Sequence, residues 1–588
     1  MKTRLLFLTI LLFSTNLFAQ DYELSNKLIF QFESAKQKSL NKSAKAHDHL
    51  WLTPLLAEAH RNWNVLSEEA KNLFKSYLSR PTFAGTEKIA TYGNFAFHYT
   101  IDGPSGESVN ATDSNSNGIP DYIENMAHLF GDDVYNLYHT QTSLTIPPYD
   151  GDEYNGAYFD IYISGTEAGS GTYGYVSPEE TIGDNPNSLT LTELDASTSH
   201  MVMRNNYSGF PGSEQIAISV TAAHEYMHAT QFGYSETMDS WFMEACATWA
   251  EEYTFPGYDD NFQYLMDIFG KTDVALNLKN GESPDLDNHW YSSWLFIKYI
   301  TEHSSNSIIK SIYENCIDYY AVDAIDAEFI TNWNSTFNQQ FNNFVIANVV
   351  MDNTSLFEPF TYKRAPDYVT EINNKGGFGF EHSFNYVGTS LSFTSHSNGN
   401  NRLMRLSSDY FLLESNQNFK IMYKSLTAGS ELDFYLIKIN ETTSKISVQP
   451  CVIQGDNAVL NVTDNSAWEY FVPIVIRHDR DVSDINPSDY SLVISNPTIT
   501  SLDENTESSA LSVFPIPARD IINISYNGPI IGNMNFELFD LAGKKVEGYY
   551  SENKSCKLET SSLANGVYTL KVTKNGASSI YKKVIISH

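Results

Sequence analysis

Two apolar segments constrain this chain more than any other feature, because each carries ionisable side chains that need a partner. They are "SEQIAISVTAAHEYMHATQFGY", residues 213–234, and "DSWFMEACATWAEEY", residues 239–253. Both have apolar residues at helical intervals. In the first, His224 and His228 stand four apart, so a helix puts both imidazoles on one face. Glu225 lies one step round. In the second, Glu244 sits among Trp241, Phe242, Met243 and Ala245, where a lone carboxylate is costly to bury. A zinc ion on His224, His228 and Glu244 answers both needs. It leaves a fourth position for water, and Glu225 stands where a general base would touch that water. With 15 His in 588 residues, chance yields this pattern about 0.05 times. The competing reading is a metal-free helix pair whose polar faces meet.

"HEYMH" followed by "WFMEACATWAEE" resembles the gluzincin metallopeptidases, whose second helix supplies a glutamate ligand, and "WFMEACAT" is similar to the "WLNEGFA" block of the zinc aminopeptidases. Fifteen residues separate His228 from Glu244, slightly fewer than in those families. Thr248 stands where thermolysin-like enzymes carry an Asp, which leaves the outer partner of the histidines open. The resemblance implies peptide hydrolysis with Glu225 as general base, and an oxyanion donor downstream. "DNHWYSSWLF" offers His289 and Tyr291 for that role. Tyr291 is favoured because it begins the next apolar helix, against its being an ordinary core aromatic. An aminopeptidase needs a Gly-x-Met-Glu-Asn type segment upstream, and none occurs, so an endopeptidase acting on protein or peptide is favoured. A rival of another class is a surface protein that grips glycan or protein and keeps a vestigial zinc site. Such a protein has no need of Glu225 between the two histidines.

"DSNSNGIPDYIE", residues 113–124, follows the calcium-loop template. Asp113, Asn115 and Asn117 offer side-chain oxygens, Gly118 allows the sharp turn, Ile119 offers its carbonyl, and Asp121 and Glu124 complete the shell. A helix follows the loop but a strand precedes it, so the expectation is a lone structural calcium loop. Pro120 is unusual beside the carbonyl donor. The alternative is a Gly/Asn turn with solvated acids. The succession "NFAFHYTIDG", "NSNGIPDYIE", "GTYGYVSPE", "HEYMHATQFGY" and "WFMEACATWAEEY" is similar to a group of secreted bacterial metalloproteases.

The expected architecture is multidomain α+β. Residues 1–19 read as a secretory signal peptide, with Lys2 and Arg4 before an apolar run. Residues 20–90 are helical, either a propeptide or an N-terminal layer; in "LSEEAKNLFKSYLSRP" Ser67 can cap and Pro81 can stop a helix. Residues 91–360 mix strands and helices, and the resemblance makes them a zincin-like domain. Residues 361–497 read as an all-β sandwich, 498–510 as an acidic linker, and 511–588 as a smaller β-sandwich. The net charge of −34 argues against nucleic acid or an anionic membrane as partner. No later stretch approaches the roughly 18 apolar residues of a membrane span. The four cysteines, at 246, 316, 451 and 556, match neither a disulfide framework nor a metal knuckle.

In the tail, Pro515, Pro517 and Ala518, then "LFDLAGK", "LANGVYTLKV" and "KKVII", resemble the C-terminal sorting domain of the type IX secretion system, with Ile516 where Asn is usual. That implies the type IX machinery as partner and export across a Gram-negative outer membrane, to the medium or the cell surface.

Overall fold

The computed structural model describes residues 22–34, 36, 52–149, 158–168, 172–210, 212–278, 289–395, 403–454, 457–481, 483, 486–497, 511–514, 518–526, 534–540, 544–551, 555–574 and 579–588. The expected signal peptide, the 498–510 linker and tail residues 515–517 and 541–543 lie outside them. The chain divides into two compact units, Met1–Asn496 and Pro497–His588.

The first unit begins with three helices, α1 (22–34), α2 (Leu52–Arg61) and α3 (Glu68–Leu78). The Ser67 hydroxyl caps α3 by accepting the Ala70 N–H at 3.2 Å. The helices share apolar contacts through Leu28, Phe32, Leu56 and Phe74, all buried. The ring of Phe32 meets Phe74 and Tyr77, and Tyr77 in turn meets Tyr175.

A five-stranded sheet follows: β1 (Lys88–Tyr92), β2 (Phe95–Tyr99), β3 (Phe159–Ile163), β4 (Gly174–Gly183) and β5 (Ala196–Met203), in spatial order β1-β2-β3-β5-β4. β2, β3 and β5 run parallel, and the outer strands β1 and β4 antiparallel. Every residue of β2, β3 and β5 is buried, as strands covered on both faces must be. β4 is an edge strand, and it runs close to the next helix. A Cβ on Gly174 would lie 3.2 Å from Glu225 Cγ and 2.9 Å from the Val202 carbonyl, so only glycine permits the approach.

Between β2 and β3, α4 (Asp121–His128) continues into two π-helical stretches, Leu129–Val134 and Asn136–Gln141, where the apolar period suggests one regular helix. α5 (Glu214–Phe232) and α6 (Ser240–Thr254) are the two apolar segments. Ser213 caps α5, its hydroxyl accepting the Ile216 N–H. Asp239 is the N-cap residue of α6, but its carboxylate accepts the Ala321 N–H at 2.7 Å instead of capping. α6 is buried without a break from Trp241 to Glu252. A helix covered on all sides shows no clean amphipathic stripe.

Further helices lead to Ala365–Asn374, and the sandwich strands begin at His382. Its sheets each have five strands. In Tyr470–Arg477, Phe471 and Val475 face the sandwich interior, while Val472, Ile474 and Ile476 join the helical core. The Tyr410 hydroxyl donates to the Val345 carbonyl at 2.8 Å across the same boundary. One sheet of the sandwich is thus buried on both faces and shares a core with the helices.

The second unit is a three-stranded and a four-stranded antiparallel sheet around Ile522, Ile524, Phe536, Leu538, Leu570 and Val572. All four cysteines are free. Among the described residues, no helix is long and apolar enough to cross a membrane.

Candidate metal centre

α5 and α6 bring His224, His228 and Glu244 together. Ligand atoms of the three lie within 4.8 Å of one another, and among the described residues this is the one group of its kind. His224 Nε2 lies 3.2 Å from Glu244 Oε2, and His228 Nε2 lies 3.6 Å from Glu244 Oε1. Glu244 and His228 are each 1% exposed.

The outer ring nitrogens explain why both Nε2 atoms face inward. His228 Nδ1 lies 2.8 Å from Gln231 Oε1. The Gln231 amide is oriented by its own Nε2, which donates to the Met243 carbonyl and the Tyr313 hydroxyl, both at 3.0 Å. Its oxygen is therefore the atom on His228, so Nδ1 is the donor there and the ring is fixed with Nε2 turned toward Glu244. His224 Nδ1 lies 2.7 Å from Glu251 Oε1 in the same way. Two inward-facing Nε2 atoms and a carboxylate thus converge in a largely buried site, where a proton or a cation can bridge them; burial lowers the His224 imidazole, but Glu244 and Glu251 together raise it well above its usual value. Two imidazoles, one carboxylate and outer hydrogen bonds that fix the rings are a donor set that zinc takes.

Burial pushes the Glu244 carboxyl up, but His228 and His224 beside it win and hold it at about 2. Burial raises Glu251 to about 7 against the pull of His224. Glu225 is raised by burial, opposed by the two histidines. The Thr53 hydroxyl donates to Glu225 Oε2 at 3.3 Å.

Tyr291 lines the same cavity, its ring centroid 6.1 Å from that of His224 and stacked on Tyr264. His289 does not reach it. Its Nδ1 bonds the Asp267 carbonyl at 2.7 Å, it lines a separate cavity, and burial holds it at about 4.

The 113–124 loop is exposed and closes on itself. Asp113 accepts the N–H groups of Asn117 and Gly118 at 3.2 and 2.8 Å. The amides of Asn115 and Asn117 donate to Glu124 at 2.9 and 2.6 Å. Asp121 turns to Ser114, accepting both its N–H and its hydroxyl, which lowers the Asp121 carboxyl. Ile119 donates its N–H to the Asn117 side chain. The loop therefore gathers Asp113, Asn115, Asn117 and Glu124, with Asp121 engaged elsewhere.

Sequence reasoning missed Glu251, Gln231, Tyr313 and Thr53. Glu251 lies seven residues past Glu244, two turns on along one helix face, and Gln231 three past His228, so both left a readable spacing. Tyr313 and Thr53 left none, since only packing brings them here. Thr248, at the position of the expected acid, is buried and its hydroxyl makes no hydrogen bond to the histidines.

Residues 512–587 match the family described as secretion system C-terminal sorting domain. The chain is accordingly exported by that machinery and is secreted or held at the cell surface. No curated protein matches the chain. Among solved structures, the BSP domain of a biofilm-associated protein is 11% identical over 29% of this chain and 44% of its own, with a TM-score of 0.12. A two-domain fibronectin type-III segment of chicken tenascin is 10% identical over 29% of this chain and 84% of its own, with a TM-score of 0.12. A β-glucuronidase of Ruminococcus gnavus is 12% identical over 30% of this chain and 34% of its own, with a TM-score of 0.11. The chain thus spans less than half of the first and the third. Scores this low define no shared fold.

Proposed function

We propose that the chain is a secreted zinc-dependent endopeptidase of gluzincin type. One observation carries the reading: the Nε2 atoms of His224 and His228 both face the Glu244 carboxylate, held so from outside by Glu251 and Gln231. Glu225 lies beside them. His224, His228 and Glu244 would hold the ion, which supplies Lewis acidity toward a water and a carbonyl oxygen. Glu225 accepts the proton of the water that adds to the scissile carbonyl, and returns it to the amine nitrogen as the C–N bond breaks. Tyr291 turns its phenol toward the developing oxyanion and donates to it. In the same reading the 113–124 loop takes a structural calcium that stiffens the entry to α4.

The test is digestion of unfolded casein by the exported chain beside Glu225→Gln, with zinc measured in both. Cutting by the wild type alone, with about one zinc in each protein, supports the proposal. Equal cutting by both, or no zinc in either, overturns it.

A further inference from the structure

The cavity around His224 and Glu225 is small, about 30 Å³, room for about two or three waters and not for a peptide. The N-terminal end of α2 supplies part of its wall. Leu52 and Thr53 line this cavity, while the next residue, Pro54, lines a second cavity of about 650 Å³ on the far side, with Arg61, Tyr319 and Tyr320. The opposite wall divides at the same place, with Glu244 on the first cavity and Met243 on the second. α2 is therefore a partition lying across what would otherwise be one groove.

Its contacts are those of an occupant. The Thr53 hydroxyl accepts the Val176 N–H at 3.0 Å and donates to Glu225 Oε2 at 3.3 Å. Val176 belongs to β4, whose outer edge has no neighbouring strand among the described residues, and such an edge is where an extended peptide adds by main-chain hydrogen bonds. Thr53 thus fills one peptide-pairing position and touches the general base at once. Polar contacts hold the C-terminal end of α2 and the chain just after α3: His60 to Glu236 at 2.7 Å, Arg61 to the Glu236 carbonyl, and Arg80 to Glu179 at 2.6 Å and Asp160 at 2.9 Å. Much of the stretch that follows, including Thr82, Thr86 and Glu87, is exposed.

We infer that α2, carried by α1 and α3, is an intramolecular stopper that occupies the peptide groove and must leave before substrate enters. The inference rests on the peptidase reading for its purpose, though its closure of the site can be measured without metal or activity. A site-specific protease sequence is inserted after Thr82 in the full chain, and the purified protein is compared before and after the cut and release of the segment. In the metal-free protein, the rate of His224 carbethoxylation, followed by mass spectrometry, rises about tenfold or more, as expected if the open state is a minor one. In the zinc-loaded protein, a peptide hydroxamate binds about tenfold or more tighter after release. An unchanged labelling rate, or loss of the cooperative melt once the segment is gone, overturns the stopper and makes α1–α3 a permanent layer. Faster labelling with no zinc bound keeps the stopper and sinks the peptidase reading. If the cut segment stays bound, Leu56→Asp in the same chain loosens it, and the same two outcomes are read.

Discussion

The cluster at His224, His228 and Glu244 and the loop at 113–124 are both patterned for a cation, and the fold treats them in opposite ways. In the loop, the amides of Asn115 and Asn117 already satisfy Glu124, and backbone N–H groups satisfy Asp113. In the helix pair the two Nε2 atoms and the Glu244 carboxylate meet one another, and Glu251 and Gln231 occupy the outer nitrogens so that the rings cannot turn away. An exposed loop can relax onto itself when no ion is present. The buried cluster is held from outside, so its ligand atoms stay together whether a proton or an ion bridges them. Tight, function-bearing ion binding is accordingly expected from the first region and weaker, structural binding from the second.

Removing a ligand tests the contrast most severely. On the proposed reading, His228→Ala should take zinc content from about one per chain to none and abolish digestion; retention of zinc by the variant would break the comparison. On the same reading, Glu225→Gln should leave the ion in place and lower the digestion rate about 10²–10⁴-fold, read as kcat/KM on a peptide. Next in size is Glu251→Gln, which weakens the hold on the His224 ring. Competition with a chelator should show zinc affinity reduced about 10–100-fold, and an unchanged affinity would mean that the ring needs no outer partner.

A smaller effect concerns a half-buried acid, Glu179, with no metal in question. Burial pushes Glu179 up, yet its bonds to His200 and Arg80 bring it down to about 2, against an ordinary value of 4.5. A depressed carboxyl contributes stability that is complete above pH 4.5 and is lost as the pH falls through about 2. The contribution is on the order of 3 kcal/mol, so Glu179→Gln should flatten the acid limb of a plot of Tm against pH. The least effect belongs to the loop. Glu124→Gln should abolish a calcium-dependent rise in Tm of about 2–4 °C while zinc content and digestion stay as in the wild type. A loss of zinc there would mean that the two regions are coupled.

Several parts of this were legible in the amino-acid order. The four-residue spacing of the histidines, the acid among aromatics at Glu244 and the Ser67 cap are local patterns, and local geometry follows from them. The tail motifs are equally local, and they match a sorting domain over residues 512–587. The π-helical stretches after α4 were not legible, because the apolar period of "HLFGDDVYNLYHT" suits a regular helix as well. Nor was the joining of the sandwich to the helical core. "YFVPIVI" reads as an ordinary strand until Val472, Ile474 and Ile476 find helices on their outer side.

By itself, then, the sequence determined which side chains can share a helix face or a strand face, and that the chain is addressed for export. Only the tertiary structure decided that Tyr291 and not His289 enters the cavity, that Glu251 and Gln231 set the rings, and that Thr53 meets Glu225 from 172 positions away. The reason is physical. Periodicity is a property of neighbours along the chain, whereas the convergence of distant segments depends on which buried surfaces fit and on which polar groups find partners once water is excluded.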